Sequence, residues 1–571
     1  MAFEMDSRKG TSTNVPERPT TSSTTNEITT ISSDSTEGAG EVSILPAEDK
    51  PSYACIKPAT NAPSIARSRS NISTRSASRV RSHNGYGIDD LDVEDEDDND
   101  STPSGSDDPE AQRRKQGSDP FEVGFDGGDA DPWCPRSMPT PRKWLIVTLA
   151  SAGSFCVTCA SSIYTSTYTQ MDAEFECSRI VATLGLSMFV LGIALGPVWS
   201  PLSEFYGRRP IYLAAFAAFT IFIVPCAVAK NIETIIITRF FQGLSGSAFL
   251  SVSGGTVSDL FAPEKMHHPM TLFTAAPFLA PSLGPLIGGF INSNVDWRWT
   301  HYVMIIWAFC QFLAICFFVP ETYHPVILRK KAQKKRKDTG DERWKAPIEK
   351  SNKSMARTVG YSLMRPFQIL AYEPMALILN LYSAILLGIL YLFFGAFPFV
   401  FEGVFGFNLW QTGLTFLGML LGMFFAAMSS GFWVKVRARL VDKNGGKIEP
   451  EFRLPAVIAG SIFVTVGLFW FAWTTFSWVH WILPIIGSGI FGLGVETYPL
   501  YAASALAANA FVRCAFAAAF PLFGTQMYEK LGDQWATSLL AFLTAAMLPF
   551  PYIFFKFGKR IRAHSRMATA D

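Results

Sequence analysis

Residues 200–210 read SPLSEFYGRRP, and this short polar stretch separates two long apolar runs. The run before it covers residues 180–201, and the run after it covers residues 211–229. Each run has about the ~20 residues that a helix needs to cross a bilayer. The stretch between them is therefore predicted to be a tight turn between two neighbouring membrane-spanning helices.

The charges of this turn predict which side of the membrane it faces. It holds one acid, Glu204, then Gly207 and the paired Arg208 and Arg209. Arg and Lys beside short loops mark the cytoplasmic side of a membrane protein. The turn therefore predicts the orientation of all the other spans.

The composition favours a polytopic membrane protein. The chain has 571 residues, of which 49% are hydrophobic, 14% aromatic and only 17% charged. Its apolar residues gather in repeated long runs, which is typical of proteins with many spans. The formal net charge of +1 gives no reason to expect nucleic-acid binding.

The nine cysteines are scattered, and most lie inside apolar runs. Cys156 and Cys159 have the spacing of metal ligands, but they lie in a predicted span without a second pair or a histidine nearby. Packing is the favoured interpretation of both residues. We therefore expect neither a metal site nor a cofactor.

Residues 1–140 are predicted to form a disordered cytoplasmic tail. Ser and Thr dominate its start, an Arg/Ser segment follows, and a block of acids covers residues 89–100. Its hydrophobic content is too low to offset the entropy lost on folding. It begins with no apolar segment, so no cleaved signal peptide is expected. The tail could be a platform for phosphorylation or trafficking, or a solvated leader.

Twelve apolar runs follow in two blocks of six. The predicted spans cover residues 144–164, 180–202, 210–229, 233–256, 269–291, 299–319, 374–399, 410–433, 454–475, 479–503, 508–529 and 534–556. This predicts an all-helical membrane protein with two six-helix bundles. The expected divisions are an N-terminal bundle at 141–320, a basic cytoplasmic linker at 321–370, a C-terminal bundle at 371–558 and a cytoplasmic C-terminal tail at 559–571.

The basic residues alternate with the predicted spans. Lys and Arg cluster after the sixth span, after the eighth and at the end of the chain, whereas residues 401–408 and 474–480 carry none. Both termini are therefore expected in the cytoplasm. The tenth span fits least well, because Glu496 interrupts its short apolar run. Either this helix continues to about residue 503, or the chain has a deletion there.

The turn resembles a known family motif. Its acid, its Gly and the basic residues that follow are similar to the loop between helices 2 and 3 of the major facilitator superfamily. The segment PLSEFYGRRP resembles the corresponding segment of the fungal twelve-helix drug:proton antiporters, a group that includes polyamine and azole exporters. Ser200 stands where Gly is usual in that family. The resemblance implies a conformational-gating role for Glu204, Gly207, Arg208 and Arg209, with Asp259 as a partner of the turn.

Arg239 lies inside the fourth predicted span, in the segment RFFQGLSG. This segment resembles the helix 4 motif of the family, and the resemblance implies a role for Arg239 in proton coupling. An arginine inside a membrane usually faces a cavity or a partner. The alternative is that Arg239 snorkels to the outer interface.

The fifth predicted span contains APSLGPLIGGFI. Gly284, Pro285, Gly288 and Gly289 are similar to the motif that accompanies export by proton antiport in the superfamily. Pro removes a backbone hydrogen bond, and the glycines let a facing helix approach and pivot. Plain packing of a Gly/Pro-rich membrane helix is the alternative.

A substrate cavity lined by aromatic side chains and few charges is expected between the bundles. Such a pocket suits amphipathic or cationic ligands. The candidates for its lining are Tyr164, Gln242, Tyr382, Tyr391, Phe394 and Phe520. Among Glu373, Glu402 and Glu496, the last is the favoured carrier of an exchanged proton, because it interrupts an apolar run.

We expect a secondary transporter that exports drugs, toxins or secondary metabolites by proton antiport. Its expected partners are a small-molecule substrate, protons and the lipid bilayer, and it is expected to act as a monomer in the plasma membrane. No phosphate-binding loop of the G-x-x-x-x-G-K-[ST] type occurs, which disfavours an ATP-driven pump. The alternatives are a polyamine exporter, a proton-coupled nutrient uptake symporter and a membrane receptor or sensor. An enzyme is not expected.

Overall fold

The structure is a computed structural model that describes residues 121–350, 374–497 and 506–563, without 127 and 447–448, and a few residues between 358 and 368. Within this part of the chain, eleven helices are long and apolar enough to cross a membrane, and one apolar helix is shorter. In chain order they are α1 Thr140–Glu174, α2 Arg179–Tyr206, α3 Arg208–Ala227, α4 Ile232–Leu260, α5 His267–Asn294, α6 Arg298–Phe318, α7 Pro374–Gly403, α8 Leu409–Lys443, α9 Glu451–Ala472, α10 Ile482–Glu496, α11 Asn509–Leu531 and α12 Asp533–Ile561.

Several of these helices change geometry along their length. A 3₁₀ turn at Tyr164–Thr167 interrupts α1, and another at Gly196–Val198 interrupts α2. The α5 helix contains Pro277, Pro281 and Pro285, each of which removes one backbone hydrogen-bond donor. Such irregular positions are where membrane helices bend.

Helix contacts repeat with a shift of six along the chain. In the first half α1 packs on α5, α2 on α4, and α3 on both α4 and α6. In the second half α7 packs on α11, α8 on α10, and α9 on both α10 and α12. The two halves meet where α2 packs on α11 and where α5 packs on α8. These two contacts are equivalent, because α2 corresponds to α8 and α5 corresponds to α11 under the same shift of six. The expected arrangement of two six-helix bundles is therefore confirmed.

Glycines set the closest helix contacts in both halves. A Cβ atom at Gly243 of α4 would overlap the carbonyl oxygen of Phe189 in α2, and one at Gly192 would overlap that of Phe240. In the second half, a Cβ atom at Gly422 of α8 would overlap the backbone of α10 at Gly489. Since lipid removes the usual hydrophobic drive for helix association, such close backbone contact contributes much of the packing.

The tenth helix, α10, ends at Glu496, and Thr497 continues only as its C-cap. The residues that would extend it to position 503 lie outside the described residues, as does Glu373. Both predictions concerning these positions therefore stay predictions. Along its described length α10 packs on α8 and α9.

Two ends of the helix assembly can be named from the connections. We call the end that carries the α2–α3 turn the linker end, because the helix His324–Thr339, here the linker helix, follows α6 there. A short helix, Pro347–Lys350, comes after it. The opposite end, where α1 meets α2, is the far end.

The predicted disordered tail of residues 1–140 differs from the structure in its last part. Residues 121–126 and 128–137 are folded and lie against the linker helix, an arrangement that we call the clasp. Lys331 of the linker helix is buried, and its Nζ atom donates to Asp131 at 2.7 Å, to Asp126 at 2.9 Å and to the carbonyl of Gly124 at 2.9 Å. A buried ammonium satisfied by three oxygens orders a segment whose composition alone would not.

Backbone and aromatic contacts complete the clasp. The Val123 amide donates to the Lys345 carbonyl at 3.0 Å, and the Lys345 amide donates to the Phe121 carbonyl at 3.0 Å. The rings of Phe121 and Trp344 meet edge to face at 5.4 Å. The clasp therefore connects the chain before α1 to the chain after α6.

We predict that Gly243→Ala destabilises the protein by about 1–3 kcal/mol, because the added methyl group forces α4 away from α2. Thermal unfolding of the purified protein in detergent measures this effect. Gly431→Ala is the matched control, since nothing lies within 4 Å of a Cβ atom there. Equal melting temperatures for the two variants would contradict the proposed close contact.

Candidate functional site

The α2–α3 turn is held by an acid that lies far away in the sequence. Gly207 has φ of +101°, a conformation that side-chain-bearing residues rarely adopt, and a Cβ atom there would overlap the Glu321 carboxylate. That carboxylate accepts from the Arg208 amide at 2.8 Å and from the Thr322 and Tyr323 amides at 3.1 and 3.0 Å. Glu321 thus caps the N-terminus of α3, where a negative charge is favourable.

The side chain of Arg208 is buried at the linker end. Its Nε atom donates to Asp259 of α4 at 3.2 Å, one Nη atom donates to the Ser203 hydroxyl at 2.5 Å, and the guanidinium lies 4.7 Å from the Tyr323 ring centroid. Glu204 is also fully buried in this region. The structure thus brings together α2, α3, α4 and the segment after α6.

The two arginines of the turn have different surroundings. Asp259 lies beside Arg208, as the sequence suggested for the turn as a whole. Arg209 is exposed instead, and its guanidinium donates to the carbonyl of Cys316 in α6 at 3.0 Å. Only the first arginine therefore takes part in the buried ion pair.

His324 extends this cluster to the start of the linker helix. Its Nδ1 atom lies 3.9 Å from Asp259, and its Nε2 atom lies 3.8 Å from the Cys134 thiol of the clasp. Burial by itself lowers the pKa of His324, but Asp259 and the Cys134 thiol raise it, and the net value is about 9. The imidazole is therefore protonated at neutral pH and adds a second cation beside Asp259.

Arg239 of α4 is buried among backbone carbonyls of the N-terminal half. Its Nη atoms donate to the carbonyls of Ala160 and Ser161 in α1 at 2.8 and 3.0 Å, and Nε donates to that of Gly185 in α2 at 3.4 Å. The guanidinium lies between the rings of Tyr164 and Phe189, at 4.3 and 4.4 Å from their centroids. It joins α1, α2 and α4 rather than reaching the interface.

This geometry limits what Arg239 can do chemically. An arginine does not deprotonate in a protein, so it can influence proton transfer only through its charge. Arg239 donates to the carbonyl of Ser161. The hydroxyl of the same serine lies 3.0 Å from the Tyr391 hydroxyl of α7. Arg239 therefore fixes the part of α1 that contacts the other half.

The glycines of α5 lie at two helix contacts. Gly284 and Gly288 face α1 so closely that a Cβ atom at either would overlap Ser162 or Ser166. Gly289 faces α8 of the other half, where a Cβ atom would lie 3.0 Å from the Leu409 carbonyl. The Pro285 carbonyl accepts from the Ser166 hydroxyl at 3.4 Å. The predicted motif thus forms a seam between α1, α5 and α8.

A cavity of about 660 Å³ lies between the two halves toward the far end. Residues from α1, α2, α5, α7, α8, α11 and α12 line it. Its charged lining residues are Arg179, Glu402, Glu529 and Asp533. Arg179 is paired with Asp172 at 2.8 Å.

A second cavity, of about 240 Å³, lies between the halves toward the linker end. Residues of α1, α2, α4 and α5 line one side, and residues of α7 and α11 line the other. Two hydrogen bonds join the halves close to the midpoint of their helices. One is between the hydroxyls of Ser161 and Tyr391, and in the other the Ser187 hydroxyl donates to the Ala518 carbonyl at 2.6 Å. The two cavities therefore lie along one path, with a thin layer between them.

The six candidates for the lining of the substrate cavity separate into two groups. Tyr391 lines the linker-end cavity and Phe394 lines the far-end cavity. The other candidates are buried or half-buried in packing and line neither of these cavities: Tyr164, Gln242, Tyr382 and Phe520. Tyr164, for example, donates its hydroxyl to the Ala182 carbonyl at 3.1 Å.

The charged candidates separate as well. Glu496 of α10 is half-buried with its Oε2 atom shielded from water, and Arg513 of α11 lies close enough for its charge to act on it. The described polar contacts of Arg239 all lie in the other half, so the structure does not bring these two candidates together. Sequence reasoning did not single out Arg513 or Glu321. Arg513 lies near the start of the predicted span 508–529, where a charge is easily read as interfacial, and Glu321 is close to the turn only in three dimensions.

We predict that His324→Gln destabilises the protein in a pH-dependent manner. The folded pKa is higher than the ordinary value of 6.5, so protonated His324 contributes its full stabilisation below about pH 6.5 and loses it as pH rises through about 9. The expected loss at pH 6 is about 3 kcal/mol, shrinking toward zero near pH 9.5. Melting temperatures at both pH values measure it.

The matched control for this prediction is the exposed His480→Gln. A difference between wild type and His324→Gln that is equal at both pH values would show that Asp259 does not hold the imidazolium. Such a result would remove His324 from the cluster.

A family model described as Major Facilitator Superfamily matches residues 150–517. The chain is 50% identical over 468 residues to the efflux pump atB of Aspergillus terreus, covering 79% of this chain and 90% of that protein. It is 39% identical to the probable drug/proton antiporter YHK8 of Saccharomyces cerevisiae, covering 81% and 93%. It is 40% identical to the multidrug transporter mdrA of Aspergillus fumigatus, covering 79% and 76%.

A solved structure has the same fold. The proton:xylose symporter XylE of E. coli aligns with a TM-score of 0.51 and 14% identity, over 74% of this chain and 96% of that one. At this identity the likeness concerns the fold alone. Together with the family model and the relatives, it confirms the resemblance carried by the α2–α3 turn: the chain belongs to the major facilitator superfamily, a family of multi-span membrane transporters of small molecules.

Proposed function

We propose that the protein exports small amphipathic molecules in exchange for protons. The observation that carries this proposal is the path between the halves, in which two cavities at opposite ends are separated by a thin layer. A transporter of this architecture works by rocking one bundle against the other, so that each cavity opens in turn. Among the described residues, the main contacts between the halves are those of α2 with α11 and of α5 with α8.

The direction and the coupling of transport are supported by the relatives. Proteins named efflux pump, drug/proton antiporter and multidrug transporter match most of the chain at 39–50% identity. Exchange for protons uses the gradient across the fungal plasma membrane, so we place the protein there. We propose that it acts as a monomer, since its path lies within one chain.

We propose that the linker end faces the cytoplasm. Basic residues crowd the linker helix and the last turns of α8 and α12, and this end carries the α2–α3 turn. Both termini would then be cytoplasmic. The far end, with its larger cavity, would open to the exterior.

The ion-pair cluster at the linker end is proposed to gate the path. Together with Ser203 of α2, the residues Arg208, Asp259 and Glu321 connect three helices and the segment after α6. Any tilt of α2 and α3 against α4 must therefore strain these contacts. Removing one partner of a buried pair costs about 3–5 kcal/mol, which is enough to shift a conformational equilibrium. The glycine seam of α5 provides the surface on which α1 and α8 can slide.

The exchanged proton needs an acid that water can reach. Glu402, Glu529 and Asp533 line the far-end cavity, whereas Glu496 is half-buried, lines neither cavity and has its Oε2 atom shielded from water. We therefore favour the cavity acids, and among them Glu402 of α7, which belongs to the transport path in the C-terminal half. The sequence-based assignment of Glu496 stays the alternative prediction.

We predict that a yeast strain lacking its own pumps gains resistance to several amphipathic drugs when it expresses the protein. It should accumulate less of each drug, and a protonophore should abolish the difference because it collapses the driving force. Measured accumulation with and without the protonophore tests both points. Higher accumulation in expressing cells would indicate uptake by symport and would contradict the proposal, as would efflux that persists after the gradient is lost.

We predict that Glu402→Gln weakens the dependence of efflux on external pH, while Glu496→Gln leaves it in place. Both substitutions remove one negative charge with little change in shape, so they form a matched pair. Efflux rates between external pH 5 and pH 7.5 provide the measurement. Loss of the pH dependence only in Glu496→Gln would overturn the expectation and assign the proton to α10.

A further inference from the structure

The linker-end cavity has an unusual charge for a drug-binding site. Among the described residues that line it, Arg513 is the one charged side chain, and no acid is present. The rest of its described lining is aliphatic, aromatic, sulfur-containing or hydroxyl-bearing, apart from the amide of Asn509. The described lining therefore carries a formal charge of +1 on a mostly apolar surface.

Arg513 is placed where cargo must pass. It lies on α11, which packs on both α7 and α2, and its guanidinium is 4.7 Å from the ring centroid of Phe278 in α5. The side chain is half-buried and therefore partly accessible from the cavity. A guanidinium on an aromatic ring keeps its hydrogen-bond donors in one plane, which suits an acidic group.

Two uncharged polar atoms of the lining also bear on what the cavity can bind. The Ser200 hydroxyl and the side-chain oxygen of Asn509 are buried, at 3% and 6% residue exposure, and neither has a hydrogen-bond partner among the described residues. A buried polar atom without a partner is costly unless water or a ligand satisfies it. The hydroxyl can donate to a ligand, and the amide oxygen can accept from one.

The far-end cavity has the opposite charge. Its lining contains the cation Arg179 and three acids, so its formal charge is +1 − 3 = −2. Along the path from linker end to far end, the lining thus changes from positive to negative. An anion would be attracted where it enters and repelled where it leaves.

We propose that the cargo is an amphipathic organic acid, bound as its anion in the linker-end cavity with Arg513 as its charge partner. The body of the cargo is apolar, and it carries at least one hydrogen-bond donor, such as a hydroxyl group, for Asn509. This inference rests on the proposed export function and specifies its substrate class. It differs from the cationic ligands that aromatic residues alone suggested.

Glu496 is the charged group of α10 that acts on Arg513. The Glu496 carboxylate and an anionic cargo would both interact with the Arg513 guanidinium, so they compete for it. Removing the charge of Glu496 should therefore strengthen the binding of an anion.

The test uses three probes with the same two-ring body. They are 6-hydroxynaphthalene-2-sulfonate, which is a permanent anion, its trimethylammonium-methyl counterpart, which is a permanent cation, and neutral 6-hydroxy-2-naphthylmethanol. Binding to the purified full-length protein in lipid nanodiscs is followed by fluorescence. We expect the anion to bind about tenfold or more tightly than the cation.

Variants assign this preference to the residue. Arg513→Gln should weaken anion binding about tenfold or more, as expected for loss of a charge-assisted hydrogen bond, and should leave the neutral probe unchanged, which shows that the cavity is intact. Arg513→Lys should retain most of the preference. Glu496→Gln should tighten anion binding. Arg179→Gln, which removes the same charge from the other cavity, is the matched control and should have no effect on it.

Several outcomes would overturn the inference. They are a preference for the cation, equal anion binding by wild type and Arg513→Gln, or weaker anion binding by Glu496→Gln. Transport of the charged probes into inside-out vesicles separates this inference from the proposed function. Proton-dependent uptake of the cation alone would leave the export function standing and refute the acid as cargo. Drug efflux that does not depend on the proton gradient would refute the exchange mechanism itself.

Discussion

Burial of the Arg208 guanidinium is the constraint around which the linker end is built. Arg208 is only 1% exposed. A charge buried in this way is tolerated only where oxygen atoms accept its hydrogen bonds. Ser203 and Asp259 provide those oxygens from α2 and α4. Glu321 then fixes the backbone of the turn from the segment after α6. Four parts of the N-terminal half must therefore be in place before this one charge is satisfied.

A second buried arginine, Arg239, is satisfied in a different way. Its partners are backbone carbonyls of α1 and α2, so its charge is spread over helix backbone instead of being cancelled by an acid. The C-terminal half repeats the helix contacts of the first half, but its half-buried acid, Glu496, feels the charge of Arg513. The two halves thus share packing and differ in their charges, which is where direction and specificity can arise in a pseudo-symmetric transporter.

The helices and their grouping were predictable from sequence, because about twenty apolar residues in a row leave a chain few alternatives in lipid. The importance of Gly207 and Arg208 was also predictable, since a glycine before paired arginines between two spans is a local signal. Glu321 was not, because its approach to Gly207 depends on how α6 packs against α3. The clasp was missed for a related reason: residues 121–137 are rich in Gly and Asp, and only the buried Lys331, far along the chain, gives their carboxylates a partner. The linings of the two cavities likewise follow from tertiary packing and not from any local pattern.

The clasp joins the chain immediately before α1 to the chain immediately after α6, and this has a consequence for biosynthesis. Since translation proceeds from the N-terminus, the ribosome has supplied every residue of this closed loop once it reaches position 350. The contacts of the clasp at the linker end of the first bundle can therefore form while α7 is still inside the ribosomal tunnel. Domains generally fold as units during synthesis, and this half then offers a finished surface on which the second half assembles.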